Sequence, residues 1–281
     1  MPCIKELLEI TPLDKVDAKV LLAHLINKHL NWPKSSLISR DRDPLPDALI
    51  TEWQALEARR HLGEPVAYIV GKKEFYNIEL SVAPGVLIPR PETELLVDLV
   101  IEHIRQHAVS SPRILDLGTG SGAIALAIAQ NIPHAQVTAV DFSHEALAVA
   151  QENAHQLGLE ARVSFYQGNW LEALPEIMSF DVIVSNPPYI QAGDEHLSQG
   201  DLRFEPQTAL TDFNDGLSAY TTIISTAKGY LQENGLIALE HGYDQSVAVT
   251  NLLTEHGFSD MKVHHDLAGI ARAATAKLPL K

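Results

Sequence analysis

The tetrapeptide Asn186–Pro187–Pro188–Tyr189 follows an apolar run, Val182–Ile183–Val184, that reads as a buried strand. It can neither extend that strand nor easily start a helix, because two prolines lack the N–H that either ladder uses. It offers a rigid set of acceptors instead. The Asn186 side-chain oxygen accepts hydrogen bonds, and the fixed φ of the prolines holds the Pro187 carbonyl in place. Tyr189 adds a ring able to stack on a planar group. Upstream, Gly118, Gly120 and Gly122 sit in "LDLGTGSGAIALA". Without Cβ atoms the backbone there can turn sharply and let a ligand approach closely.

The next β-leaning run ends at Asp141, nineteen residues after Gly122. An acid at that place can accept hydrogen bonds from both hydroxyls of a ribose. The spacing is G-x-G-x-G, not the dinucleotide spacing G-x-G-x-x-G that seats a pyrophosphate on a helix N-terminus. Asp116 stands before the glycines, which suits a cofactor with a cationic amino-acid tail and no phosphate. S-adenosylmethionine has such a tail. In "GNW", Asn169 can bond an adenine edge and Trp170 can cover its face. Two plainer readings stand beside these: a core tryptophan, and a tight strand-to-helix turn with an incidental acid.

These residues need elements to hold them. Residues 1–75 read as a small helical domain. In "DAKVLLAHLINKHL" an apolar stripe carries Val20, Leu21, Ala23, Leu25 and Ile26, and a later helix turns Leu49, Trp53 and Leu56 inward, with Gly63 as its stop. Short β-leaning runs broken by Gly71, Asn77 and Pro84–Gly85 predict a hairpin, with residues 76–90 as the linker. From residue 91 to 281 helices alternate with short apolar strands. Strands are expected in "RILDLG", "QVTAVD", "RVSFYQG", "FDVIVSN" and "GLIALEHG", then in "DMKVHHD" and "ARAATAKL". A helix is expected through "GLSAYTTIISTAKGYL". Short apolar strands joined by helices imply an α/β domain with a mostly parallel sheet covered on both faces.

Composition narrows the function. Thirty-six acidic residues against 21 basic ones give a net charge of −15. That opposes indiscriminate binding to a phosphate backbone, which needs clustered Lys and Arg. Cys3 is the single cysteine, so no disulfide framework or cysteine zinc site is expected. His264 and His265 are consecutive on an expected strand and so point to opposite faces, and no metal site is expected. Ser121 has no His–Asp partners in a recognisable arrangement, which argues against nucleophilic catalysis. No leader peptide, membrane span or membrane partner is expected, and a cytoplasmic location is the default.

The four positions Asn186–Tyr189, placed after the fourth strand, resemble the class I S-adenosylmethionine-dependent methyltransferases that carry N-P-P-Y. That branch methylates planar nitrogens, either exocyclic amines of bases or the amide of glutamine. An amide nitrogen is a weak nucleophile because its lone pair is delocalised. Holding one N–H on the Asn186 oxygen and the other on the Pro187 carbonyl would aim that lone pair at the methyl group.

Over nearly the whole chain, "RRHLGEPVAYIVGKKEFYNIELSVAPGVLIPRPETELLV", "DLGTGSGAIALA", "VSNPPYI", "DLRFEPQTAL" and "ALEHG" resemble the release factor glutamine methyltransferases. The resemblance implies a Rossmann-like, seven-stranded class I methyltransferase domain behind a helical substrate-docking domain and a β-hairpin linker. It implies methylation of N5 of the glutamine in the Gly-Gly-Gln motif of peptide chain release factors, with S-adenosylhomocysteine as by-product. Gly118, Thr119, Gly120, Ser121 and Gly122 become the cofactor loop; Asp141 takes the ribose, Trp170 the adenine, and Asn186 both cofactor and substrate. Pro187, Pro188 and Tyr189 complete the substrate wall, with Asn186, Pro187 and Tyr189 as the catalytic set. Arg90, Glu92 and Glu205 stand at the substrate entrance or grip neighbouring loops. A monomer that does not bind nucleic acid directly is expected. The ending "DLAGIARAATAKL" departs from the D-R-x-V pattern expected there. Two related activities compete: glutamine methylation of a large-subunit ribosomal protein, whose enzymes tend to carry Cys where Gly118 stands, and adenine methylation of nucleic acid, which calls for a basic recognition domain.

Overall fold

The computed structural model describes residues 2–175 and 178–280. They form two compact units, one from residues 2–72 with Gln199–Phe204, the other from Lys73–Ser198 with residues 205–280.

The first unit is helical: α1 (Ile4–Ile10), α2 (Lys15–Leu30), α3 (Ser36–Ser39), α4 (Asp47–His61) and α5 (Val66–Val70). Asp14 caps α2 by accepting from the Val16 N–H at 2.7 Å. Asn31 ends that helix in the left-handed conformation, a common stop signal. The buried stripe of α2 is Ala18, Leu21, Leu22, Leu25 and Ile26, packed on Leu49, Trp53 and Leu56 of α4. Val20, expected inward, is on the exposed side, and Leu22 replaces it. The i, i+3, i+4 rows from Ala18 close on Leu22 rather than Val20. Arg60 donates to Asp17 at 2.7 Å and to Asp201 at 2.8 Å, which ties Gln199–Phe204 to the helices of this unit.

A hairpin follows, β1 (Lys72–Phe75) and β2 (Ile78–Ser81). Tyr76 and Asn77 between them both have positive φ, 46° and 63°, as a two-residue type I′ turn demands.

The remaining elements alternate: α6 (Glu94–Gln106), β3 (Arg113–Leu117), α7 (Ala123–Asn131), β4 (Gln136–Asp141), α8 (His144–Gln156), β5 (Val163–Gln167), β6 (Phe180–Ser185), α9 (Gln207–Leu210), α10 (Ser218–Ala227), β7 (Leu231–Glu240), α11 (Ser246–Glu255), β8 (Ser259–His265) and β9 (Ala271–Lys277). The sheet order is β5-β4-β3-β6-β7-β9-β8. The first five strands run parallel, and β9 pairs antiparallel with both β7 and β8. This is the expected seven-stranded, mostly parallel sheet.

Alternation along each strand divides the core in two. Ile114, Val137, Val182, Val184 and Ala238 pack with α6 and α7 on one face. Leu115, Leu117, Val140, Ile183 and Leu239 pack with α10 and α11 on the other. The unusual ending is a regular strand whose Ala273, Ala274 and Ala276 are buried between β7 and β8. The helix expected to run to Leu231 stops at Ala227. The Tyr230 carbonyl accepts from the Phe180 N–H at 2.7 Å, which draws the chain into the sheet, and β7 begins at Leu231.

Candidate active site

Chain order reverses direction across the sheet at β3: β4 and β5 lie to one side, β6 and β7 to the other. Ligands of open α/β sheets bind outside the carboxyl ends of the strands at such a switch point. The register makes this concrete. Leu117 is level with Val140 on one side and Ser185 on the other, and Ser185 is level with Leu239. The next residue of each strand is therefore Gly118, Asp141, Asn186 and Glu240. Four distant stretches of sequence thus deliver their chemistry to one rim.

A cavity of about 350 Å³ opens there, a size typical of small-molecule sites. Its lining includes Gly118, Thr119, Gly120, Ser121, Asp141, Trp170, Asn186 and Pro188, together with Arg90 and Thr93. Gly122, Pro187 and Tyr189 are adjacent in the chain but do not line it. Glu92 is exposed and also outside it.

The loop after β3 is held from both sides. The Val140 carbonyl accepts from the N–H groups of Gly118 and Thr119, at 2.9 and 3.0 Å. The Gly120 N–H donates to Asp141 Oδ2 at 2.8 Å, and the Ser143 N–H donates to Asp141 Oδ1 at 2.9 Å. Gly118 and Gly122 have φ of +74° and +84°, where a side chain is strained. A Cβ on Gly118 would lie 3.4 Å from the Trp170 ring, and one on Gly122 would lie 2.9 Å from Leu126 Cδ1. Asn153, fully buried in α8, donates to the Ser121 carbonyl at 2.9 Å and exchanges hydrogen bonds with the backbone of Ser81 at 2.7 and 3.0 Å. The loop, the hairpin and α8 thereby share one side chain.

Two acids set the electrostatics beneath the loop. Asp116 is fully buried; its Oδ2 accepts from Thr119 Oγ1 at 2.7 Å and from the Ala125 N–H at 3.2 Å. Its Oδ1 has no partner. Burial pushes the Asp116 carboxyl up to about 7. Asp141 is also raised by burial, opposed by the backbone N–H groups of Ser143 and Gly120. Trp170 begins a 3-10 turn with φ +50°, and its ring faces Gly118. Phe142, next to Asp141 and 74% exposed, stands on the cavity lip.

Residues 109–266 match a methyltransferase domain and residues 3–71 match the PrmC N-terminal domain. The release factor glutamine methyltransferase of Burkholderia pseudomallei is 48% identical over 278 residues, covering 98% of this chain and 95% of that protein. The release factor glutamine methyltransferase of Bordetella pertussis is 47% identical over 272 residues, covering 97% of this chain and 98% of that protein. The chain belongs to the release factor glutamine methyltransferase family. A solved 16S rRNA N2 methyltransferase of T. Thermophilus, in complex with AdoMet and guanosine, shares the fold at 22% identity and a TM-score of 0.52. That match covers 73% of this chain and 49% of the other.

For a release factor glutamine methyltransferase, the placement of Asn186 matters most. Its Nδ2 donates to Thr93 Oγ1 at 3.1 Å. Ser185, just before it, locks β6 to β3 through a 2.7 Å bond to the Leu117 carbonyl. Gln245 donates to the Tyr189 carbonyl at 3.0 Å and so pins the far end of the tetrapeptide. Tyr189 Oη donates to Glu240 Oε1 at 3.5 Å, and burial with the nearby Glu240 charge raises its pKa. Glu205 has a fully buried side chain that accepts from the Ile88 N–H at 3.0 Å and pairs with Arg90. It grips the loop that carries Pro89 and Arg90. Thr93, Asn153, Phe142 and Glu240 were not picked out singly from sequence; Thr93 and Glu240 lie in the stretches "LIPRPET" and "ALEHG" that carry the resemblance, but only the sheet register and the packing of α6 and α8 bring these residues to the rim.

Proposed function

We propose that the chain methylates the side-chain amide nitrogen, N5, of the glutamine in the Gly-Gly-Gln motif of peptide chain release factors, with S-adenosylmethionine as donor. The observation that carries the reading is the Asn186 amide. Its NH2 is engaged by Thr93, which leaves Oδ1 as the free acceptor at the cavity. An acceptor there suits a substrate that presents N–H groups.

The cofactor assignment rests on donor chemistry. Asp141 is level with the loop and offers carboxylate oxygens to a ribose. Asn169 and Trp170 line the cavity beside Gly118 and suit an adenine edge and face. Buried Asp116, with an unpartnered oxygen under the loop, favours a cation above it. The first-turn N–H groups of α7, which have no intrahelical carbonyl to pair with, suit a carboxylate, apart from that of Ala125, which donates to Asp116. When bound, S-adenosylmethionine supplies an electrophilic methyl group on sulfur and leaves as S-adenosylhomocysteine.

The protein's share is positioning. Asn186 Oδ1 takes one N–H of the glutamine amide and the Pro187 carbonyl takes the other. Fixing both N–H groups fixes the amide plane, and the nitrogen lone pair, which stands perpendicular to that plane, is aimed at the methyl group. With S-adenosylmethionine bound, transfer would break its C–S bond as the N–C bond forms, and the surplus proton on nitrogen would pass to solvent. Pro188, which lines the cavity, forms the wall against the planar amide. No strong base is required, because the methylated nitrogen is a much stronger acid than the amide. In this reading the helical unit docks the protein substrate.

The test is transfer of a labelled methyl group from S-adenosylmethionine to a purified release factor and to the same factor with the motif Gln replaced by Ala. Label on the first and not the second is expected. Equal labelling of both overturns the substrate assignment.

A further inference from the structure

The carboxyl end of the tetrapeptide is clamped by a side chain that stands outside the cavity. Gln245 Nε2 donates to the Tyr189 carbonyl at 3.0 Å and to the Gly216 carbonyl at 3.3 Å, and its Oε1 accepts from the Gly242 N–H at 2.9 Å. Both ends of the amide are thus engaged. A Cβ on Gly216 would lie 2.5 Å from the Tyr189 carbonyl oxygen, so the two loops meet at a point that only glycine allows. Beyond Tyr189 the chain keeps contact with the segment after α9. The Ile190 N–H donates to the Leu210 carbonyl at 2.9 Å, and the Ala192 N–H donates to the Asn214 carbonyl at 2.9 Å. Thr208 and Ala209, just before that segment, line the cavity. A continuous rim therefore runs from the cavity wall through residues 211–216 to the turn at 242–245.

Each of the two clamped loops raises one aromatic ring to solvent. Phe213 is 55% exposed and Tyr243 is 72% exposed, and neither ring has a stacking or cation–π partner among the described residues. Phe213 sits at φ +61°, in the left-handed region that a phenylalanine rarely adopts. The loop enforces this. The Phe213 N–H donates to Thr211 Oγ1 at 3.0 Å, and the Asp212 carboxylate accepts from the N–H groups of Asn214, Gly216 and Ser218 at 2.9, 3.0 and 2.8 Å. Glycine would fit the position without strain, and a ring so exposed returns little packing inside the molecule. Its contact lies outside. The two loops carry Asp212, Asp215 and Asp244 and no lysine or arginine. Such a patch repels a phosphate backbone and favours a polypeptide.

We propose that Phe213 and Tyr243 form the seat for the glycine-rich backbone of the release factor beside the glutamine to be methylated. This rests on the reading that the Gly-Gly-Gln glutamine is the substrate. A pair of glycines offers no side chain to grip. It presents bare peptide planes and Cα–H groups, which can lie close against an aromatic face. Aromatic rings supply that contact with few rotatable bonds to immobilise. Because Gln245 ties both ring-bearing loops to Tyr189, backbone seated on the rings stays beside the tetrapeptide that receives the glutamine. The seat holds substrate before and during transfer alike, so its energy appears in binding and not in the chemical step.

The experiment uses the full-length protein and an intact release factor, with S-adenosylmethionine saturating. Phe213→Gly, Tyr243→Ser and the double variant are compared with Phe213→Tyr. Loss of each ring is expected to raise KM for the release factor on the order of tenfold, while kcat and the cofactor Kd stay within about twofold. Phe213→Tyr keeps the ring and should keep KM. Phe213→Gly relieves the positive φ, so its melting temperature should not fall, which separates lost docking from lost fold. An unchanged KM in the double variant overturns the proposal, as does a loss that falls on cofactor Kd instead. A single-stranded oligonucleotide that binds the unchanged protein but not the double variant would assign the rings to bases and overturns it too. The unchanged protein tests the level beneath. No label on the motif glutamine fails the substrate reading and the seat with it; normal label with unchanged KM in the double variant fails the seat alone.

Discussion

At the scale of single residues, the site works by controlling where acceptors and charge lie. Asn186 Nδ2 donates to Thr93 Oγ1, which in our reading leaves its Oδ1 for the substrate amide. Asp116 shows the same economy. Its folded pKa is raised, so between about 4 and 7 the free protein holds a proton there that an exposed aspartate would have released. A cation seated above the loop favours the carboxylate, so cofactor binding should expel that proton. Calorimetry at about pH 6.5 in two buffers of different ionisation enthalpy checks this. Buffer-dependent heats are expected for the unchanged protein and should shrink in Asp116→Asn, with affinity about tenfold weaker. Identical heats in both buffers would show that binding releases no proton, contrary to this account of Asp116.

At the scale of elements, the sheet register does the assembling. Gly118, Asp141, Asn186 and Glu240 come from four strands and meet because Leu117, Val140, Ser185 and Leu239 are level. Asn153 then joins α8 to β2 and the glycine loop with three hydrogen bonds. Asn153→Leu leaves the Ser81 N–H and the Ser121 carbonyl without that partner. A loss of about 2–3 kcal/mol is expected, seen as a lower melting temperature and weaker cofactor binding together. An unchanged melting temperature would show that water or neighbouring groups replace it. The legible part of this arrangement was the part that restricts residue type. Positive φ at Gly118 and Gly122 demands glycine, and a rigid acceptor after β6 demands proline, so those stretches announced themselves. Short apolar strands alternating with helices likewise made the mostly parallel sheet legible, and the family resemblance implied its seven strands. Thr93, Asn153 and Glu240 gave no such sign. A threonine in a helix start, an asparagine within a helix and a glutamate at a strand end are ordinary in sequence, and their roles exist only after register and helix packing are set. Val20 was misplaced for a related reason: several five-residue stripes fit one apolar helix, and only the partner helix chooses among them.

At the scale of the molecule, net charge and architecture bear on what the site meets. A chain carrying −15 repels a phosphate backbone over most of its surface. Excess duplex or single-stranded nucleic acid is therefore expected to leave methyl transfer to a release factor unchanged in a competition assay, whereas strong inhibition or label on the nucleic acid would point to base methylation. Among the described residues no helix is long and apolar enough to cross a membrane. The helical unit, with its own core around Leu25 and Trp53, is in our reading the part that recognises a folded protein, leaving the sheet rim for the amide. The most direct test of the central claim is mass spectrometry of release factor peptides from cells that lack this protein, beside cells that contain it. The account predicts that the glutamine of the Gly-Gly-Gln motif carries one methyl group on its side-chain nitrogen only when the protein is present. The same methylation in both would contradict it.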